Sequence, residues 1–384
     1  MKVSAQCTIG DWSIDTASDP HTELNSISIK SARGAVDQIE IALYLKSPPS
    51  AGLLEQAIGA ATDAIGGAIG LGGGGESAFT TDIRGNEIKD GDAISAKLTA
   101  GEVSAVAFSG EVLATDSGPG LTTINGASGA HRLATTRVNQ VFENQAADRV
   151  IADLAKQAGA TVGNLSASIS YPYLVVDETR SVFDHIKALA MREGMECYFN
   201  ADNKLTVESF SKTSPDHEFH YAIHILALET FISKPNATHT RVYTESPAST
   251  QGQKTWHWLT KDSSAFQSEA GSGVSLRAIS DGAIRTKDAA DQLSVNKHGA
   301  IKDLSTRGRL KLLGNPAVRV ADAIEVLGMA KPELNGLFKV TAVEHRFSKH
   351  EGYVTWVEFS GQGGADAAGG LLGALGDLAG AVGF

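Results

Sequence analysis

The sequence predicts a mostly β, α+β fold: two small β-barrels flanking a helix–helix–hairpin region. Three observations predict it. Apolar and polar residues alternate over short stretches towards both ends, turn signals separate those stretches at close intervals, and two apolar stripes at helical spacing lie between them. The 384 residues, 42% of them hydrophobic, suffice for two or three cores. The expected division is 1–138 for the first barrel with an insertion at 51–89, 139–211 for the α+β region, 212–362 for the second barrel, and 363–384 for an Ala/Gly/Leu-rich tail.

In the first region, Ile39, Ile41, Leu43 and Leu45 alternate with Glu40 and other less buried types, which predicts a half-buried strand. Pro48 and Pro49 end it. Strand-like runs follow at Ala93–Leu98, Val103–Ala114 and Leu121–Ile124, separated by turns at Asp90-Gly91-Asp92, Ala100-Gly101 and Gly118-Pro119-Gly120. Short, closely spaced strands suit a small barrel or sandwich. Within the insertion, Leu53, Leu54, Ala57, Ile58, Ala61, Ile65 and Ile69 recur at helical spacing among glycines. The tail repeats that style with Leu371, Leu372, Leu375, Leu378 and Val382. Each glycine costs a helix interior about 1 kcal/mol, so neither segment predicts a helix stable alone. Gly66 with Gly70 and Gly376 with Gly380 have the spacing that permits close helix contacts. Three readings stay open for both segments: a mobile linker and tail, ordering on a partner, or membrane contact.

In the middle region, Asn144 is the expected cap of a helix through Val150, Ile151, Leu154 and Ala155, ended by Gly159. A second helix is expected after a cap at Thr179, with Val182, Phe183, Ile186, Leu189 and Ala190 facing a core and Gly194 in the left-handed position past its end. A hairpin follows: Met195–Phe199, a polar turn at Asn200–Asn203, then Leu205–Ser209. Further on, Phe219–Phe231 and Thr238–Tyr243 read as strands, Gln251–Gly273 as loop and Asp288–Asn296 as a short helix. Leu310–Leu313, Ala323–Leu327, Leu337–His345 and Tyr353–Phe359 read as four more strands.

Composition narrows function. A net charge of −11 with no Lys/Arg run argues against specific nucleic-acid binding, which needs basic patches. Cys7 and Cys197 could form one bridge at most, which excludes a disulfide framework or a Cys-based zinc site. Cys197 lies in an apolar run and reads as a small buried hydrophobe. Met1–Thr16 shows no leader pattern, and no uncharged apolar run reaches the roughly 20 residues of a spanning helix, so the chain is expected to be made in the cytoplasm.

Candidate sites each have a plainer reading. Gly70-Leu-Gly72-Gly-Gly-Gly75 matches G-x-G-x-x-G but lacks the strand before and the helix after, which favours a linker over a cofactor loop. His217, His220 and His224 have helical spacing for a metal. Read as strand, however, the same stretch puts His217 on the opposite face from the other two. Asp177 with Glu178, and Asp148 with Asp153, sit near helix starts, where acids complement the dipole rather than form a catalytic pair. There is no Gly-x-Ser-x-Gly or His-Glu-x-x-His motif, and His345 reads as packed or pore-facing. No catalytic, cofactor-binding or metal-binding residue is expected, and no cofactor. The chain reads as a structural protein rather than an enzyme.

The order of motifs resembles a known family. Asp90-Gly91-Asp92-Ala93-Ile94, followed by Phe108-Ser109-Gly110-Glu111-Val112, resembles the first-barrel signature of the phage late-control D family. That family includes the central baseplate hub of contractile tails and the hub half of VgrG proteins. Gly126 through His131-Arg132-Leu133, then Val141-Phe142-Glu143-Asn144-Gln145, resembles its passage from barrel into helix. Thr179 through Phe183 to Gly194 resembles its second helix, and Met195–Val207 the hairpin after it. Gly314-Asn315-Pro316 through Asp322, with Gly336-Leu337-Phe338-Lys339-Val340 and His345, resembles its second barrel. The match runs in order from Val3 to Gly361, with 51–75 as an insertion and no repetitive β-helix spike after Gly361.

The resemblance implies a homotrimer whose two barrels per chain form a pseudo-sixfold ring, joining a sixfold tail tube to a threefold spike. Expected partners are other copies of the chain, a separate spike protein, a tail-tube protein, other baseplate proteins, and cargo or tape-measure in the lumen. Its place would be the baseplate of a phage tail or injection particle. An acidic lumen would keep DNA from adhering. The alternatives are a tail-associated cell-wall hydrolase and the hub of a non-contractile tail.

Overall fold

Strand propensity dominates both ends of the chain, and the resulting strands join. The computed structural model describes residues 2–19, 21–44, 80–83, 86–118, 120–233, 237–244 and 267–361. The helical-spacing segment at 51–75, the Gly70–Gly75 motif and the tail 363–384 lie outside these residues.

The first strands are β1 (Val3–Ile9), β2 (Trp12–Asp15), β3 (Leu24–Ala32), β4 (Gln38–Tyr44), β5 (Thr80–Ile83), β6 (Asn86–Lys89), β7 (Ala93–Ala100), β8 (Val103–Gly118) and β9 (Leu121–Ala127). The middle holds α1 (Ala130–Thr135), β10 (Gln140–Ala146), α2 (Ala147–Gln157), β11 (Val162–Leu165), β12 (Ser170–Val176), α3 (Val182–Arg192), β13 (Glu196–Phe199) and β14 (Leu205–Glu208). Then come β15 (His217–His220), β16 (Ile225–Ile232), β17 (His239–Thr244), β18 (Gln267–Gly271), β19 (Leu276–Asp281), α4 (Lys287–Asp303), β20 (Thr306–Leu313), β21 (Ala323–Leu327), β22 (Gly336–Ser348) and β23 (Gly352–Ser360).

Among the described residues, a 13-stranded sheet runs β16-β20-β23-β22-β3-β4-β9-β8-β7-β1-β2, with β21 on β22 and β15 on β21. The two strand-rich ends of the chain are thus stitched together. β22 pairs antiparallel with β3 from Ala342↔Ala32 to Ser348↔Ser26. Alternation in β3 shows which face is buried (Ile27 and Ile29 are), but not which strand lies alongside.

Three apolar cores lie on this frame. One gathers the first strands, including Ile29, Ile41, Ile94, Leu98, Phe108 and Ile124, and takes Phe347 and Tyr353 from the far end of the chain. A second is built from Leu310, Ile324, Val326, Phe338, Val357 and Phe359. The third joins the inner faces of α1, α2 and α3 to Tyr171, Phe199 and Val207. Val242, Ile284 and Leu293 also belong to it, so the small sheet β18-β17-β19 and α4 pack with the helices.

Local signals explain most element ends, with corrections. The expected loop Gln251–Gly273 contains the strand β18, Gln267–Gly271, which pairs with β17. β10 runs straight into α2, whose N-cap is Ala146 with no side-chain cap. Asn144, the expected cap, sits in β10 at φ 51°. α3 is capped by Ser181, whose Oγ accepts from the Asp184 N–H at 3.1 Å, not by Thr179. Thr179 belongs to the preceding turn, where its N–H donates to Asp177 Oδ1 at 3.0 Å. The expected single strand Phe219–Phe231 is broken after His220, with Ala222 at φ 62° in the turn. Gly159 and Gly194 close their helices at φ 70° and 68°, as expected. The hairpin forms with register Glu196↔Glu208 to Phe199↔Leu205. α4 begins at a Thr286 cap and runs past the expected Asn296 to Asp303.

Candidate interaction surface and the junction behind it

Sequence-predicted positions converge first at the turn between β6 and β7. Gly91 takes φ 82° there, and Asp92 Oδ2 accepts from the Lys89 N–H at 2.7 Å. The Gly91 N–H donates to the Val112 carbonyl at 3.0 Å, and the Val112 N–H donates to the Asp92 carbonyl at 2.8 Å. These bonds lock the turn to β8, and Asp90 precedes it on the exposed side. Phe108 is buried beneath. Gly110 lies where β8 meets β9, and a Cβ on it would stand 2.2 Å from the Ala127 carbonyl oxygen. Only glycine fits.

The second group surrounds Tyr353. The Gly314 N–H donates to the Tyr353 carbonyl at 3.0 Å, and a Cβ on Gly314 would fall 2.1 Å from the ring. His345 Nδ1 lies 2.8 Å from the Tyr353 hydroxyl. His345 is 2% exposed, and burial, aided by the Arg319 charge, pulls its pKa down to about 3. It is a neutral packed residue. Arg319 Nη1 donates to the Pro316 carbonyl at 2.9 Å, and Nη2 donates to the Val106 carbonyl in β8, tying the two groups together. Between them lies a cavity of about 210 Å³ lined by Asp37, Phe108, Tyr198, Arg319 and His345. Burial pushes the Asp37 carboxyl up to about 7, against hydrogen bonds from Ala32 and Ser31.

A third junction escaped sequence reasoning. Glu196, opening β13, accepts from Arg33 Nη1 at 3.1 Å and from Lys339 Nζ, so one carboxylate joins β3, β13 and β22. The Glu196 and Lys339 side chains are each 9% exposed, and Asp303 lies 3.6 Å from Lys339. The available signal was a lysine at an inward position of an apolar strand, between Phe338 and Val340. The remaining motif residues support the helical core or element starts. His131 lies in α1, Phe142 and Phe183 are buried, and Gly336 opens β22 at φ 132°.

Among the described residues, an apolar strip lies on an open edge. Among the described strands, β16 ends the large sheet and is hydrogen-bonded along its length only to β20. Its Leu226, Phe231 and Ile232 are about half exposed, as are Leu313 beside it and Tyr221 in the turn before; Ile223 is 67% exposed. Arg307 lies 4.5 Å over the Phe231 ring. An unpaired backbone edge carrying apolar side chains is the usual mark of a protein–protein contact. β16 overlaps the apolar run Phe219–Phe231, and apart from Ile225 and the half-buried Leu228 none of its residues is buried by the described chain.

The other candidates do not combine into a site. His217 Nε2 pairs with Asp322 Oδ2 at 3.1 Å, while the His220 N–H donates to His224 Nδ1 at 3.1 Å. No group of three metal-ligating side chains occurs among the described residues. Hydrogen bonds from Thr179 hold the Asp177 carboxyl below its usual range, and Glu178 is exposed. Asp148 accepts from the Arg149 N–H and Asp153 from Gln157 Nε2, both within α2. Cys7 and Cys197 are free and buried, their thiols pushed up to about 12 by burial. No described helix is long and apolar enough to cross a membrane.

No protein-family profile matches the chain, and no curated protein resembles it in sequence. Solved structures do. The 43 kDa tail protein of prophage MuSo2 from Shewanella oneidensis aligns over 93% of this chain and 98% of its own, with a TM-score of 0.62 at 10% identity. The chain has the fold of a phage tail protein. A tail protein from Neisseria meningitidis gives the same result, with a TM-score of 0.63 at 9% identity over 94% and 97% of the two chains. A type VI secretion component from E. coli, itself described as similar to T4 tail proteins, gives 0.52 at 8% identity over 88% and 74%. The alignments with the two tail proteins thus cover 93% and 94% of the chain, and the resemblance drawn from motif order holds at the level of fold.

Proposed function

We propose that this chain is a structural hub of a contractile tail or injection-system baseplate. In this reading three copies close a pseudo-sixfold ring that joins a sixfold tube to a threefold spike. The observation that carries it is the length of the shared fold: nearly all of this chain and nearly all of two tail proteins, one of them from a prophage, superpose, leaving little of either for a separate activity. The open apolar edge of β16 supports assembly, because a ring needs each copy to offer a surface that another copy or a partner covers. The proposed partners are other copies, the spike and tube proteins, other baseplate proteins, and cargo or tape-measure in the lumen, with no catalysis.

Light scattering of the purified protein at two concentrations tests the ring, with three times 40.1 kDa expected. If only monomer appears, addition of the tube and spike proteins should close the ring. Replacing Leu226 and Phe231 by Lys and Glu should abolish assembly while leaving the melting temperature within about 2 °C, since both are surface positions. A monomer that stays single with both partners present and cleaves purified peptidoglycan would overturn the proposal in favour of a tail-associated hydrolase.

A further inference from the structure

α3 and α4 meet where Asn296 Nδ2 donates to the Arg192 carbonyl at 3.3 Å. Between them, opening beside β22, lies a groove of about 500 Å³. Met191, Val295 and Leu304 line it and are 58%, 60% and 48% exposed, a large apolar display for one groove. Its charge is opposite to that of the chain as a whole. Arg33, Lys187, Lys297 and Lys339 line it against only Glu196 and Asp303, in a protein of net charge −11. Arg33 and Lys339 are engaged by Glu196, and Lys187 by Asp184 at 2.9 Å. Lys297 makes no ion pair among the described residues. Burial and the Arg277 and Arg192 charges, against the pull of the Asp281 carboxylate, hold its pKa below the usual lysine value, so a further anion placed there would relieve a cation that its surroundings disfavour.

A segment of matching chemistry begins at the rim. Gly361, the last described residue, donates its N–H to the carbonyls of Asp303 and Thr306, both at 3.1 Å, and Asp303 lines the groove. Residues 363–384 contain Leu371, Leu372, Leu375, Leu378 and Val382, two acids (Asp366 and Asp377), and no Lys, Arg or His. Apolar side chains matched to apolar walls, and carboxylates matched to excess lysine, identify an occupant. We propose that the groove between α3 and α4 is the docking site of residues 363–384 of the same chain, with an Asp carboxylate set against Lys297. The proposal does not depend on the hub reading.

Hydrogen exchange on the full-length protein tests it. Deleting 363–384 should speed exchange of amides in 190–197 and 295–304 by about fivefold or more, without a comparable change in β3 and β4. A synthetic peptide of residues 363–384 added in excess should restore the protection. Asp366→Lys with Asp377→Lys in the full chain should reproduce the loss without any truncation, and adding Lys297→Glu should recover part of it. Unchanged exchange in both the deletion and the charge-reversed chain would overturn the proposal. Protection that rises with protein concentration would also overturn it, because the segment would then come from a second copy.

Discussion

Glu196→Gln removes one negative charge from the point where β3, β13 and β22 meet, with almost no change in shape. The carboxylate now serves Lys339, whose side chain is 9% exposed, and Arg33, whose side chain is 34% exposed. Removing one partner of a buried ion pair leaves an uncompensated charge and typically costs 3–5 kcal/mol. Arg33 can turn towards water, so its share is small. Lys339 cannot, and the Asp303 carboxylate at 3.6 Å is 43% exposed and only partly substitutes. We therefore expect a loss of about 3 kcal/mol, at the lower end of that range. Urea unfolding followed by tryptophan fluorescence should show the midpoint fall by about 1 M or more. Glu196→Gln combined with Lys339→Met should recover most of the loss, because the stranded charge is gone. A single variant within about 0.5 kcal/mol of the parent, or a double variant no better than the single, would refute the view that this buried charge set joins the cores.

The other predictions concern the cavity and the β8 crossing. Asp37 has a native pKa raised to about 7, so the stability carried by its neutral form is complete below pH 3.8 and is lost as pH rises through 7. Asp37→Asn should remove that loss and raise stability at pH 8 by about 4 kcal/mol, with little effect at pH 4, as read from melting temperatures at the two values. His345 shifts the other way: the stability of its neutral native form is complete above pH 6.5 and is lost as pH falls towards 3. Across that window the parent should lose about 1.4 kcal/mol per pH unit more than His345→Gln does, measured by urea titrations at stepped pH. Gly110→Ala drives a methyl into the Ala127 carbonyl and should cost about 3 kcal/mol or more. Gly91→Ala meets no atom within 4 Å and should cost only the roughly 1–2 kcal/mol of a left-handed residue. Equal effects from the two substitutions would contradict the close approach at Gly110.

What the sequence determined by itself was local. Alternation in Gln38–Tyr44, the glycine stops at Gly159 and Gly194, and the hairpin Glu196–Glu208 follow from residue preferences over a few positions, and the structure has them as read. The order of motifs also carried the tail-protein fold at identities near 10%. Tertiary structure decided what period and propensity do not encode. β3 and β22 are some 300 residues apart in the chain, and each shows only which face is buried, so their pairing depends on the cores that hold them together. Thr179 and Ser181 are both adequate caps, and Ser181 wins because Asp177 engages Thr179 in the turn. Phe219–Phe231 reads as a strand, and Ile225–Ile232 stands at the edge of the large sheet among the described residues, since hydrophobicity alone cannot distinguish a core position from an exposed one. Glu196 and Lys339 are ordinary charged residues in the sequence. Burial in the folded chain brings them together, and a contact between residues 143 positions apart leaves no local pattern to read.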